Sequence, residues 1–154
     1  MPAAHAPARG GSVRAPWFVA MALMVLIIWG NSLVPGMESG GLSLSVVSTI
    51  RGALDALGIP SAWVTNFLVR KAAHFTEYAV LGILAARAFD LRRGAPSARI
   101  ALACAVLVLV PSIDEAIQLF VAGRSGQVTD VLLDCCGAAT GAALAALLSS
   151  LRHP

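Results

Sequence analysis

The feature that most constrains this chain is the length of its apolar runs. Residues 17–34 form an apolar run, interrupted only by Asn31-Ser32 near its end, opened by Trp17 and closed by Pro35-Gly36. A helix needs roughly 20 such residues to cross a bilayer. Two more runs follow, at residues 100–121 and 130–151. Between them, a helix from Ser61 to about Asp90 would measure roughly 45 Å at 1.5 Å per residue, against a hydrocarbon core of roughly 30 Å. Its first two turns, with Trp63 and Phe67, then belong to the interface, and its crossing begins near Ala72.

The expected fold is all-α: four transmembrane helices with an outer amphipathic helix between the first and second. Composition agrees. Hydrophobic residues make up 58% of the 154 and charged residues 12%, against roughly 45–50% and roughly 25% in soluble domains. A soluble fold would lack polar surface. The net charge of +3 has its basic residues between apolar runs and no aromatics interleaved with them, so they read as topology signals and nucleic acid is not expected as a partner.

Residues 1–15 read as a disordered cytoplasmic tail, and 17–151 as one membrane domain. A cleaved signal peptide fits the first run poorly, because the run is long and no small-x-small site follows. In residues 36–60, Leu44, Val47, Ile50, Leu54 and Leu57 recur at helical spacing, which predicts an amphipathic helix at the membrane surface. Ser61 is the expected N-cap of the next helix. Arg92, Arg93, Gly94 and Pro96 form a basic turn, and Pro111 is expected to kink the third crossing. Cys104, Cys135 and Cys136 read as small packing residues. Gly137 and Gly141 form a small-xxx-small pair, through which a homo-oligomer is expected.

Four crossings put both termini on one side. That side holds seven basic residues, Arg9, Arg14, Arg87, Arg92, Arg93, Arg99 and Arg152. The other holds four, Arg51, Arg70, Lys71 and Arg124. The bias predicts cytoplasmic termini in a bacterial inner membrane.

Polar residues from several segments then fall at one outer level. Lys71, His74 and Tyr78 share a helical face, with Glu77 beside them. The third crossing ends with Asp114-Glu115 and, one turn on, Gln118. Arg124 follows in the loop, Asp130 and Asp134 open the fourth crossing, and Asn31-Ser32 close the first. Asp114 and Glu115 lie roughly two-thirds of the way across, where a charge without partners costs at least roughly 2.5 kcal/mol. Lys71, His74 and Arg124 are the available counter-charges. The chain's single Lys, its single Tyr and its one His within a crossing all fall in this stretch. The plainer alternative makes Arg70 and Lys71 boundary markers and His74 and Tyr78 interface residues.

The pattern Lys71-x-x-His74-x-x-Glu77-Tyr78, then Asp114-Glu115-x-x-Gln118-x5-Arg124-x5-Asp130, resembles the signature of the VanZ-like family. Asn31-Ser32-x-x-Pro35 fits it too, although the family often has Ser-Ser there, and Asp134 stands where many members have Asn. The resemblance covers about residues 17–150. It implies a small bacterial membrane protein of a family whose founding member is associated with resistance to the glycopeptide teicoplanin, and it implies no biochemical activity.

The expected function is action on the cell envelope at the outer face of the cytoplasmic membrane, by binding a membrane lipid or lipid-linked envelope precursor through its phosphate. The candidate cluster is Ser32, Lys71, His74, Glu77, Tyr78, Asp114, Glu115, Gln118, Arg124 and Asp130. The alternative is an intramembrane hydrolase or transferase, with His74 or Glu115 as general base and Arg124 or Lys71 stabilising an anionic transition state. A metal version of that enzyme would use His74 with Glu77, Asp114 or Glu115, but one His among carboxylates suits several divalent ions and identifies none, and no metal or cofactor is expected. Proton-coupled transport is disfavoured, since the inner halves of the crossings are apolar.

Overall fold

The structure, a computed structural model, describes residues 14–91 and 95–152. The expected tail, up to residue 13, and residues 92–94 of the basic turn lie outside the described residues. Five helices follow one another: α1 (Ala15–Ser32), α2 (Gly36–Ala56), α3 (Asn66–Phe89), α4 (Ser97–Gln118) and α5 (Val128–Arg152). Three of them, α1, α4 and α5 over Val128–Leu151, are long and apolar enough to cross a membrane. They present Leu26, Ile27, Leu102, Leu109, Leu144 and Leu147 outward. Large exposed apolar surface of this kind is rare on soluble proteins and normal against lipid. The expected second crossing, α3, does not reach that standard of apolarity, because Arg70, Lys71, Glu77 and Arg87 lie within it.

Local chemistry sets the helix ends. Pro16 opens α1, where a missing N–H costs nothing. Thr65, not Ser61, caps α3: its hydroxyl accepts the Leu68 N–H at 3.2 Å. The backbone of Ser61 is engaged in a turn, accepting from Val64 N–H at 3.0 Å. Arg51 fastens that turn to α2 by donating from Nε to Val64 O at 2.9 Å and from Nη2 to Ala62 O at 3.3 Å. Asp90, with φ of 56°, ends α3 in the left-handed conformation. Its carboxylate holds the start of α1 and of α4 together, at 2.7 Å from Arg14 and 3.4 Å from Arg99.

α4 runs through Pro111. The proline has no N–H to give Leu107 O, and the thiol of Cys135 approaches that carbonyl at 3.6 Å. Trp29 Nε1 donates to the neighbouring Val110 O at 3.3 Å. The stripe expected on α2 splits. Val47 and Leu54 turn inward beside Ser43 and Arg51, whereas Leu44, Ile50 and Leu57 are exposed. Helical spacing identified an apolar population, but the neighbouring α3 selects which part of it is covered.

The centre of the bundle is α3, which touches every other helix and lies most extensively against α5. The two run parallel: Lys71 meets Asp130, His74 meets Asp134, Phe75 meets Gly137 and Ala79 meets Gly141. A Cβ on Gly141 would fall inside the carbonyl oxygen of Ala79, and one on Gly82 inside that of Ala138. The helix that Gly137 and Gly141 admit in this structure is α3 of the same chain. Between the backbones pack Tyr78, Leu81, Ala85, Ala138, Ala142 and Ala145, all nearly or fully buried.

Since the clash at Gly141 is with backbone, no rotamer relieves it. Gly141→Ala should cost about 1–3 kcal/mol, read as a lower melting temperature in detergent, while Thr140→Ala on the exposed side of the same helix should change it little.

Candidate functional site

The bundle gathers its polar side chains at one end. α3 supplies Arg70, Lys71, His74, Glu77 and Tyr78, and α4 supplies Asp114, Glu115 and Gln118. Asp130 and Asp134 come from the first two turns of α5, and Asn31 and Ser32 from the end of α1. The 119–127 loop brings Arg124. That loop closes on the start of α2 through a backbone contact, with Gly36 N–H donating to Ala122 O at 3.0 Å. A Cβ on Gly36 would collide with the carbonyl of Gly123, whose φ is +73°.

The ten residues expected to cluster all lie at this end, but their partners differ from those expected. Lys71 does not meet Asp114 or Glu115. It pairs with Asp130 and lies over the Phe67 ring, 5.3 Å from its centroid. Arg124 meets no carboxylate either. Its Nε donates to Val34 O at 3.0 Å and its Nη2 to Asn31 O at 2.8 Å. It thus caps the carbonyl end of α1, where the helix dipole favours a cation. Burial, together with nearby Arg70, lowers the Arg124 pKa from its ordinary value.

The acids sit deeper. Asp114 is 1% exposed, Glu115 4% and Asp134 0%. His74 alone among the expected counter-charges reaches them, with Nδ1 3.6 Å from Asp134 Oδ2. Gln118 Nε2 donates among Glu115 Oε1 at 3.1 Å, Ser32 Oγ at 3.3 Å and Asp114 Oδ2 at 3.4 Å. The Gln127 N–H donates to Glu115 Oε2 at 2.8 Å. Asn31 Nδ2 donates to Glu77 Oε1 at 3.1 Å. Tyr78 is fully buried, and its hydroxyl makes no hydrogen bond.

Beside these acids opens a cleft of about 360 Å³. Its apolar wall includes Ile28, Leu42, Val46 and Val69, and its polar wall includes Arg70, Arg124, His74, Glu77 and Asp114. Sequence reasoning left three of the site's residues off the candidate list. Arg70 reads as a membrane boundary marker, yet it lines the cleft. Asn31 reads only as part of a motif. Asp134 was placed one turn from Asp130, but its central position depends on how α3 meets α5. The one available signal was that i, i+4 spacing.

The pair of Lys71 and Asp130 is partly buried, at 25% and 18% side-chain exposure. Lys71→Ala and Asp130→Ala should each destabilise the fold, and the double variant should cost less than their sum by about 0.5–3 kcal/mol in a thermal or chemical unfolding cycle.

No curated protein and no solved structure matches the chain. A family model described as VanZ/LLP1 matches residues 17–149. That span holds all five helices but for their extreme ends, and the whole polar cluster, so the chain belongs to the VanZ-like family of membrane proteins.

Proposed function

We propose that this protein binds a phosphate-bearing headgroup, of a membrane lipid or a lipid-linked envelope precursor, at the outer face of the bacterial cytoplasmic membrane. The observation that carries this reading is the cleft. Arg70 has no carboxylate partner among the described residues, Arg124 is held by neutral carbonyls, and both line the same opening. Two guanidinium groups beside an apolar wall suit an acidic headgroup with its acyl chain alongside. The role assigned to Lys71 from sequence passes to Arg70, because Lys71 is neutralised by Asp130.

The topology that goes with this reading has four crossings. α3 lies in parallel along α5, so it occupies the same depth as a helix apolar enough to span. Its charged residues are half-buried, with Lys71 paired to Asp130 of α5, Glu77 held by Asn31 of α1 and Arg70 in the cleft wall, which suits charges at membrane depth. Both termini are cytoplasmic by the seven-to-four distribution of basic residues. In a variant with Cys104, Cys135 and Cys136 replaced by Ala, Ser125→Cys should react with a membrane-impermeant maleimide in intact cells, and Ser97→Cys only after permeabilisation. The reverse pattern would overturn the orientation.

Binding of dihexanoyl phosphatidic acid to detergent-purified protein tests the headgroup. Arg70→Gln should weaken it by about 1.5–3 kcal/mol, roughly 10- to 100-fold, as loss of a charged hydrogen bond predicts. Lys71→Met should leave it within about twofold, because Lys71 is held by Asp130 and does not line the cleft. Equal binding by wild type and Arg70→Gln would rule the reading out.

The enzymatic alternative draws on one observation: His74 and Asp114 stand in the cleft wall, within reach of a bound headgroup. A hydrolase or transferase would then use His74 as general base. Release of headgroup from a labelled phospholipid, lost in His74→Gln while binding persists, would establish it.

A further inference from the structure

The buried acids have no basic partner but His74 among the described residues. One oxygen each from Asp114, Glu115 and Asp134 and one ring nitrogen of His74 lie within 4.8 Å of one another. Among the described residues no Lys or Arg forms an ion pair with any of the three acids. Protonated His74 would offset one of three negative charges. The neutral donors fall short as well. The Gln118 amide has two hydrogens for three nearby acceptors. Both oxygens of Asp134, 0% exposed, and Oδ1 of Asp114 make no hydrogen bond.

Buried polar atoms in folded proteins nearly always have partners, and an unpaired buried carboxylate is among the most costly groups to retain. The fully buried Tyr78 hydroxyl is a second, separate polar group left without a partner, and it faces Asp114. These groups converge on a common centre that wants positive charge.

We propose that His74, Asp114, Glu115 and Asp134 bind one divalent cation. Ligands held at about 2.1 Å from one ion are at most about 4.2 Å apart, so the four donors need only a small contraction. One imidazole with carboxylates and no thiolate suits Mn²⁺, Fe²⁺ or Zn²⁺ and disfavours soft ions. Tyr78 is the neighbour placed to orient Asp114 as a ligand. Glu77 is outside the set, being held by Asn31. The site shares His74 and Asp114 with the headgroup cleft, but the charge imbalance stands without any headgroup.

The test uses full-length protein purified in detergent, stripped with a chelator and titrated separately with MnCl₂ and ZnCl₂, with bound metal measured by mass spectrometry. Wild type should take up about one equivalent of at least one ion and melt at a higher temperature with it. Asp134→Asn and His74→Gln should weaken that binding by at least about tenfold, whereas Arg70→Gln should retain it. Less than about 0.1 equivalent of both ions on wild type overturns the proposal, and this holds whether or not the variants fold. Wild-type affinity in the Asp114→Asn, Asp134→Asn double variant overturns it equally. Loss of phosphatidic acid binding in Arg70→Gln with metal uptake intact separates this site from the headgroup reading.

Discussion

α3 and α5 come together with no side chain between their backbones at Gly82, Gly137 and Gly141. This close approach is the constraint from which the polar end follows. It fixes the rotation of both helices, and with it the fact that Lys71 faces Asp130 and His74 faces Asp134. In lipid, association of helices cannot rely on the hydrophobic effect and depends on packing and polar contacts. Here the two act along one seam, with small residues over most of its length and charged pairs at one end. A bulkier residue at Gly141 would therefore alter the site as well as the packing.

Around that seam the cations and acids are arranged unequally. Lys71 is neutralised locally, and Arg14 and Arg99 meet Asp90 at the opposite end. Arg70 and Arg124 line the cleft without a carboxylate partner among the described residues, while Asp114, in its wall, and the buried Glu115 and Asp134 have no Lys or Arg partner there. The anion proposed near Arg70 and Arg124 and the cation proposed among His74, Asp114, Glu115 and Asp134 draw on the two sides of this arrangement. A phosphate bridging to a metal would satisfy both at once, because each neutralises the other's excess.

The helices were legible in sequence because apolar length is a property of single segments. Residues 17–34, 100–121 and 130–151 needed no knowledge of one another, and α1, α4 and α5 lie within a few residues of them. α3 was legible as a helix, but not its start: Thr65 takes the cap because Arg51 and the turn at Ser61 hold the preceding backbone elsewhere. The members of the polar cluster were readable from their rarity and spacing. Their pairings were not. That Arg124 would cap α1 and leave the acids depends on the Gly36–Gly123 contact, which no local pattern announces. Asp134 was visible as an acid near Asp130, and its position at the centre emerges only from the register of α3 on α5.

The parallel pairing of α3 and α5 also has a consequence for biogenesis. Lys71 leaves the ribosome 59 residues ahead of Asp130, with all of α4 made between them. During that interval α3, too polar to partition well alone, lacks both its counter-ion and the helix against which it packs. The packing of α3 is thus tied to the last helix, and the bundle is complete only once α5 has been made. A chain interrupted before α5 would hold α1 to α4 with α3 lacking both the helix it packs against most and the partner of Lys71.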